Sequence, residues 1–521
     1  MYDSIEYLDT RGYTETPLPF STVIIKGLAA GGGLFVPEKL PQLDLTEIVK
    51  LASLPYAQQA ALVFDRFGID FSANVIDRLM QQAYGENFDT PVIAPVVEVA
   101  PRSYLLELFH GPTAAFKDMA LQCLPWFFSL ALEKPRDAAG TPMFHLILVA
   151  TSGDTGSAAL AGFRDREHTG VIVFYPRDGV SDIQSRQMTA AEGANVGVVA
   201  VQGNFDDCQN AVKTVFNDAA FTDVLAGQGV KLASANSINW GRLLPQVVYY
   251  ASAYSQLVAS GSLELGEQLD VCVPTGNFGN ILAAWYARAI GVPIGRLYCA
   301  SNDNNVLTDF INSGTYDISQ RSFKLTPSPS MDILVSSNLE RQLFELNGHD
   351  AGLIRKWMRE LSEQRRFQVD EATFAALRES FSADWVSSEE SLETIREVFQ
   401  QFGYLLEPHT AVAWKVAERL RMTPDSPVLI VATSHWAKFA SDVYRALHHM
   451  APGEALPDEV AGLSGPQLVA RIAEQHTAGS IPQHLAELDS KPIRFDETCA
   501  NTAEAVSESI VDWLEQRRLI D

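Results

Sequence analysis

Lys117 stands in the stretch HGPTAAFKDMA, residues 110–120, where a polar loop gives way to an apolar run. An ammonium in the first turn of a helix faces the positive end of the helix dipole, at a cost of roughly a few tenths of a kcal/mol. The same dipole, with Phe116 and Met119 alongside, favours the neutral amine. Schiff-base chemistry and general-base work both require that form. The plainer alternative is a solvated first-turn lysine.

Two glycine loops supply the chemistry a reactive lysine would need. In PTGNFGNILAAWYA, Gly276, Asn277, Phe278, Gly279 and Asn280 open directly into a helical pattern. The first N–H groups of that helix lack partners and its dipole favours an anion, which describes a phosphate cradle. In ATSGDTGSAAL, Thr151, Ser152, Asp154, Thr155 and Ser157 crowd around Gly153 and Gly156 at a second helix start. Ordinary N-capping explains part of this composition, but a cap needs only one oxygen. The surplus of hydroxyls suits an anion or carboxylate. A phosphate cradle with a depressed lysine suggests pyridoxal phosphate (PLP), its aldehyde on Lys117 and its phosphate on the glycine loop. Thr433 or Ser434, in ATSHWAKF, offers one neutral hydrogen bond to the cofactor's pyridine nitrogen. SANSINWGRLLPQ adds Asn236 and Arg242, whose planar guanidinium suits a second phosphate.

These loops share one setting. A short β-branched run ends in a Gly/Ser/Thr/Asn-rich loop and a helix follows, as in FHLILVA–TSGDTGS–AALAGF and LDVCVP–TGNFGN–ILAAWYARAI. SYLLELF, VGVVAV with its QGNF loop, and SPVLIVA repeat the pattern. The rhythm predicts an α/β architecture with buried parallel strands and ligands beyond their carboxyl ends. Residues 1–95 lack the rhythm and read as a separate N-terminal element. Residues 96–215 carry the lysine and hydroxyl loops, and 216–521 form a larger PLP-binding region. The charged text near 340–402 reads as a helical insertion, and the tail beyond Leu463 as amphipathic helix with Gly/Pro breaks.

The chain has 521 residues and a net charge of -25, a field that repels nucleic acid and anionic membranes. Its five cysteines are scattered with no CxxC pair, so neither a disulfide framework nor a metal site is expected. No apolar run approaches a bilayer span, and the acidic start lacks a signal-peptide layout. A soluble protein of the reducing cytoplasm is expected.

The ordered segments TRG, GGGLFVPEKLP, HGPTAAFKD, ATSGDTGSAA, YPRDGVSDIQSRQM, GNFDDCQNAVK, NSINWGR, PTGNFGNILA, SPSMDILVSSNLER, EPHTAVAW and TSHWAKF span residues 10–439. In this order they resemble threonine synthases, in the longer form of fungi and many bacteria. The resemblance implies a fold type II PLP enzyme, with two open, parallel-rich twisted sheets, flanking helices, an N-terminal element and a helical insertion. It implies conversion of O-phospho-L-homoserine and water to L-threonine and phosphate, by a monomer or homodimer.

Carried over by residue, Lys117 would hold PLP covalently and Gly276, Asn277, Phe278, Gly279 and Asn280 would bind its phosphate. Thr433 would face the pyridine nitrogen and Asp154 the ring hydroxyl. Thr151, Ser152, Thr155, Asn236 and Arg242 would hold the substrate's carboxylate and phosphate. Two other readings share these residues: a phospho-lyase that releases 2-oxobutanoate from the same substrate, and a PLP-binding paralogue without catalysis. The sequence departs from the family at Asp9, Gly32, Ala114, Ser434 and Trp436. None of these removes a catalytic group.

Overall fold

The structure is a computed structural model that describes residues 4–132, 143–476 and 480–520. Its centre is a six-stranded sheet in the order Phe381–Trp385, Ile294–Ser301, Leu269–Pro274, Val428–Ala432, Ser103–Glu107 and Val96–Ala100. Every neighbouring pair is parallel except Val96–Ala100, which runs antiparallel to Ser103–Glu107. A second, five-stranded sheet is parallel throughout, in the order Thr498–Cys499, Val196–Val201, Thr169–Pro176, Phe144–Ala150 and Val230–Ala233.

The strands are apolar on both faces because both faces are covered, and their side chains alternate between two cores. Ile147 and Val149 point into the core that also holds Val271 and Val431, and so joins the two sheets. Leu146 and Leu148 point the other way, to Ile510 and Trp513 of the helix Ala503–Gln516. On the outer side of the six-stranded sheet, Leu105 and Ile430 pack with Trp414 and Val443.

The N-terminal residues form a small antiparallel pair, Tyr7–Asp9 with Phe35–Pro37. Tyr7 is buried against Trp240, whose indole N–H donates to the Tyr7 hydroxyl at 3.0 Å. This joins the N-terminal element to the 20-residue helix Trp240–Ala259.

Two segments differ from the sequence reading. The charged stretch 340–402 carries four helices but also two strands, Arg366–Gln368 and Phe381–Trp385. The second is the edge strand of the six-stranded sheet, paired with Ile294–Ser301. Its FSADW text is too short to stand out between charged amphipathic helices. In the QGNF loop, Asn204 and Asp207 use their side chains in a reciprocal capping box at the exposed start of the helix Phe205–Asn217. Among the described residues, no helix is long and apolar enough to cross a membrane, and no cluster of three or more His, Cys, Asp or Glu could hold a metal ion.

Candidate active site

Lys117 begins a helix of only five residues, Lys117–Leu121, immediately after the strand Ser103–Glu107 and its loop. The loop is pinned to the end of the neighbouring strand Val428–Ala432. Phe116 N–H donates to the Thr433 carbonyl at 2.8 Å, His435 N–H donates to the Ala114 carbonyl at 3.2 Å, and Ala115 bridges Ser434. Behind it, Asp118 accepts from the Thr113 amide at 2.9 Å and the Thr113 hydroxyl at 2.7 Å. Gly162 sits beneath the Leu121 carbonyl so closely that a Cβ there would stand 1.9 Å from the oxygen.

The Lys117 amine is buried and makes two hydrogen bonds, to Asp154 Oδ2 at 3.3 Å and Ser330 Oγ at 3.1 Å. Its pKa is lowered, first by burial. The charge of Asp154 opposes this, and Lys438 and Arg242 add to it. The dipole argument gave the right direction with the wrong main cause: a five-residue helix has little macrodipole, and loss of water dominates.

Asp154 lies at the centre of the polar cluster. Oδ2 accepts from Lys117 and from Ser434 Oγ at 3.1 Å, while Oδ1 accepts from Gln184 Nε2 at 2.8 Å and meets Lys438 Nζ at 2.8 Å. Burial opposes its ionisation, but Lys438 and Lys117 outweigh it and hold the carboxyl well below the usual range. Gln184 is aimed by its own capping box with Ser181 at the start of the helix Asp182–Thr189. Gly153 makes room for it, with φ at 131° and a hypothetical Cβ 2.4 Å from the Gln184 amide carbon.

The hydroxyl loop is split in its duties. Thr151 Oγ1 accepts from the amides of Gly153 and Gly156, both at 3.0 Å, leaving its O–H as the group it can offer a ligand. Ser157 donates to the Asp154 carbonyl at 3.2 Å. The half-buried Ser152 and Thr155 hydroxyls engage no partner among the described residues.

Across the cluster lies the GNFGN loop, at the carboxyl end of Leu269–Pro274. Gly276 is packed against Ser330, whose carbonyl a Cβ would approach to 2.7 Å. The Gly276 carbonyl accepts from Ser336 Oγ at 2.7 Å, and the Asn277 carbonyl accepts from the Asn338 amide at 3.1 Å. Phe278 is a left-handed N-cap, φ 61°, a strained conformation for a non-glycine that its buried ring against Phe381 helps to hold. Gly279 starts the helix Gly279–Ala289. Asn280 accepts through Oδ1 from Tyr249 and Tyr250, and its buried Nδ2 has no partner.

Arg242 is buried on the helix Trp240–Ala259. Nη1 donates to the Ala235 carbonyl at 2.7 Å and Nε is buried without a partner. Burial pushes its pKa down to about 10, and no carboxylate among the described residues pairs with it. Asn236 lies in the same loop, its carbonyl accepting from the Asn239 amide.

Thr433 Oγ1 donates to Glu407 Oε1 at 3.4 Å. Glu407 also accepts His409 Nδ1 at 2.6 Å, and His409 Nε2 accepts the Ser330 amide at 3.1 Å. The acceptor role of Nε2 fixes the Nδ1–H tautomer. A chain of contacts therefore runs from Thr433 through Glu407, His409 and Ser330 to Lys117. His435 caps its own turn through Nδ1, and burial pushes its pKa down to about 3.

Sequence reasoning missed Lys438, Gln184, Ser330, the Glu407–His409 pair and Arg341. Buried Arg341 donates to Phe35 O at 2.8 Å, Asn338 Oδ1 at 2.5 Å and Ile238 O at 2.5 Å, tying the N-terminal element to both ligand loops. A lysine flanked by tryptophan and phenylalanine in WAKF was the available signal for Lys438.

Known proteins resemble this chain in sequence and fold. The model of pyridoxal-phosphate dependent enzymes matches residues 94–434, that of the threonine synthase N terminus residues 6–84, and that of the threonine synthase C-terminal region residues 410–475. Human threonine synthase-like 1 is 46% identical over 82% of this chain, which spans 58% of the human protein's length. The threonine synthase of Pseudomonas aeruginosa is 38% identical, covering 88% of this chain and 93% of that protein. The crystal structure of PLP-bound threonine synthase from Brucella melitensis superposes with a TM-score of 0.83 at 36% identity, covering 98% of this chain and 99% of that one. The yeast threonine synthase structure gives 0.85 at 32% identity, with 99% of each chain covered. With three family models and relatives of this identity along nearly its whole length, the chain belongs to the threonine synthase family of pyridoxal-phosphate dependent enzymes.

Proposed function

We propose that this protein converts O-phospho-L-homoserine and water to L-threonine and phosphate with PLP as cofactor. We place it in the cytoplasm, as a monomer or homodimer, with no nucleic-acid or membrane partner. The observation that carries this reading is a pair of buried cations beside one another's field. Lys117 has a lowered pKa, and Arg242 has no carboxylate among the described residues and an orphaned Nε. An amine ready to be neutral and a guanidinium waiting for an anion are what a phosphorylated amino acid needs.

The residues fit PLP. The buried amine suits its aldehyde. The first turn of Gly279–Ala289, with the unpartnered Asn280 Nδ2, suits its phosphate. When bound, PLP supplies an aldehyde for the substrate amine and a ring that accepts the electrons left when Cα loses its proton.

The chain's own residues do the rest. Lys117 Nζ takes the proton from Cα, and the same amine serves Cβ and Cγ. Asp154 and Ser330 hold that amine on two hydrogen bonds and so limit where it can reach. Thr433, whose hydroxyl Glu407 orients, would offer a neutral hydrogen bond to the ring nitrogen. Arg242 and Asn236 bind the substrate phosphate and stabilise its charge as it leaves Cγ. Ser152, Thr155 and the O–H of Thr151 bind the carboxylate. Burial of Lys117, Asp154, Arg242 and Thr433 limits bulk water, so that one water can be delivered to Cβ.

The test is a product assay. Purified, PLP-loaded protein given O-phospho-L-homoserine should release phosphate and L-threonine in equal amounts. Release of 2-oxobutanoate and ammonia without threonine would replace this reading with the phospho-lyase. Absence of any turnover, with borohydride trapping a pyridoxyl group on Lys117, would leave a cofactor-binding paralogue.

A further inference from the structure

Lys438 is the residue in the site that the proposed chemistry leaves unused. It is wholly buried in the turn Trp436–Phe439. Lysine is seldom found there without a reason, since burying an ammonium costs several kcal/mol unless it is paired and hydrogen-bonded. Its Nζ meets Asp154 Oδ1 at 2.8 Å and donates to the Thr113 carbonyl at 2.7 Å. Asp154 thus stands between two ammonium groups, with Lys117 on its other oxygen at 3.3 Å.

One carboxylate can neutralise one of two buried cations. Lys438 makes the shorter contact and has a second acceptor in the Thr113 carbonyl. The Lys117 side chain keeps 10% of its surface exposed, against none for Lys438. The surplus positive charge therefore falls on Lys117, the cation that can shed its proton and still keep a hydrogen bond to Ser330.

We propose that Lys438 is a positioning residue: it is the standing counter-ion of Asp154, and by occupying that carboxylate it leaves the Lys117 amine free to be neutral and to take the cofactor's aldehyde. This rests on the reading of Lys117 as the PLP lysine. The groups that face the trio are few. Gln184 and Ser434 hydrogen-bond Asp154, and the charge of Arg242 reaches Lys117. The charges of Asp118 and His484 interact with Lys438. Burial raises the pKa of Asp118 to about 6 and lowers that of His484, and the charge of Lys438 lowers both, so the midpoints are compared well above the Asp118 value.

The arrangement predicts a cycle of signs rather than one loss. Lys438→Met leaves Asp154 to Lys117 alone, so Lys117 should stay protonated to higher pH. Asp154→Asn leaves two cations without an anion, so Lys117 should lose its proton at lower pH. The double variant restores the net charge of the wild-type trio and should return close to the wild type.

The measurement uses cofactor-free protein. The rate of Lys117 modification by a small amine-specific reagent is followed by mass spectrometry from pH 6 to 10. Lys438→Met should raise the midpoint by about one pH unit or more, a tenfold lower rate at fixed pH below it. Asp154→Asn should lower it, and the double variant should lie within about a third of a unit of wild type. A midpoint unmoved by Lys438→Met, or a double variant displaced as far as Lys438→Met, overturns the proposal. A merely misfolded single variant would not be repaired by a second substitution. Failure of borohydride to trap a pyridoxyl group on Lys117 in the wild type would instead overturn the assignment of the PLP lysine.

Discussion

The Phe116 amide donates to the Thr433 carbonyl at 2.8 Å, so the residue before the lysine and the residue expected at the ring nitrogen are joined through backbone alone. The main chain that carries the Lys117 loop is therefore held against Thr433 without using either residue's side chain. The Thr433 hydroxyl can be removed without disturbing that contact.

Thr433→Val should accordingly keep the fold and impair the chemistry. Loss of one buried hydrogen bond to Glu407 costs about 1 kcal/mol of stability. The proposed turnover should fall by about tenfold to a hundredfold. Urea denaturation and kcat/KM on O-phospho-L-homoserine, measured on the same preparation, check both parts. Unchanged kcat/KM would remove Thr433 from the cofactor's surroundings.

Arg242→Met separates stability from function. A buried guanidinium without a carboxylate partner is a cost the fold bears, and an apolar side chain of similar length should stabilise the free protein by about 1 kcal/mol. KM for the phosphorylated substrate should rise by at least about tenfold, while PLP affinity changes less than about threefold. Equal loss of PLP and substrate would contradict the placement of Arg242 at the substrate phosphate.

Gly162→Ala tests the seat of the lysine helix. The added methyl meets the Leu121 carbonyl and must push the two helices apart, at a cost of about 1–3 kcal/mol. Slower capture of PLP by Lys117 should accompany the lower melting temperature. A variant as stable as the wild type would mean that the two helices separate freely.

Asp118 gives a pH dependence of definite sign. Burial raises its pKa from 3.8 to about 6, against the pull of the Thr113 donors. Below about pH 4 the group is protonated in folded and unfolded chains alike. Above about pH 6 it is ionised in both, and the folded state bears the cost of burying the charge. Its contribution to stability therefore falls as pH rises through that window, by about 3 kcal/mol. The stability difference between wild type and Asp118→Asn, from urea melts at pH 4 and pH 6.5, should shift by about 2 kcal/mol, the part of that fall lying in this interval. A constant difference would show that Asp118 does not titrate in this window.

The parts of the site that lie on consecutive residues were legible in the sequence: the lysine after its loop, the glycine loops, the strand preceding each. Their signals are local, a period of two followed by turn residues and a cap. What was illegible depends on residues far apart. Ser330 touches Lys117 because the 328–338 loop folds over Gly276, and nothing in SPSMDIL announces that. Gln184 forms one half of a capping box with Ser181, and its second bond, to Asp154, appears only in three dimensions. The edge strand Phe381–Trp385 was hidden because five residues between amphipathic helices give a period of two too little length to register.

Lys438 and Thr113, bonded in the finished site, are separated by 325 residues of chain. The strand beside the lysine is made early in synthesis, and the strand that locks it is made late. Contacts of that separation close slowly, after the intervening chain has been ordered. Throughout that interval Lys117 has no Thr433 carbonyl to fix its loop and no Lys438 to occupy Asp154. It is then a hydrated lysine, and the burial that lowers its pKa in the fold is absent. The surroundings of Lys117 are therefore completed only with the near-complete fold.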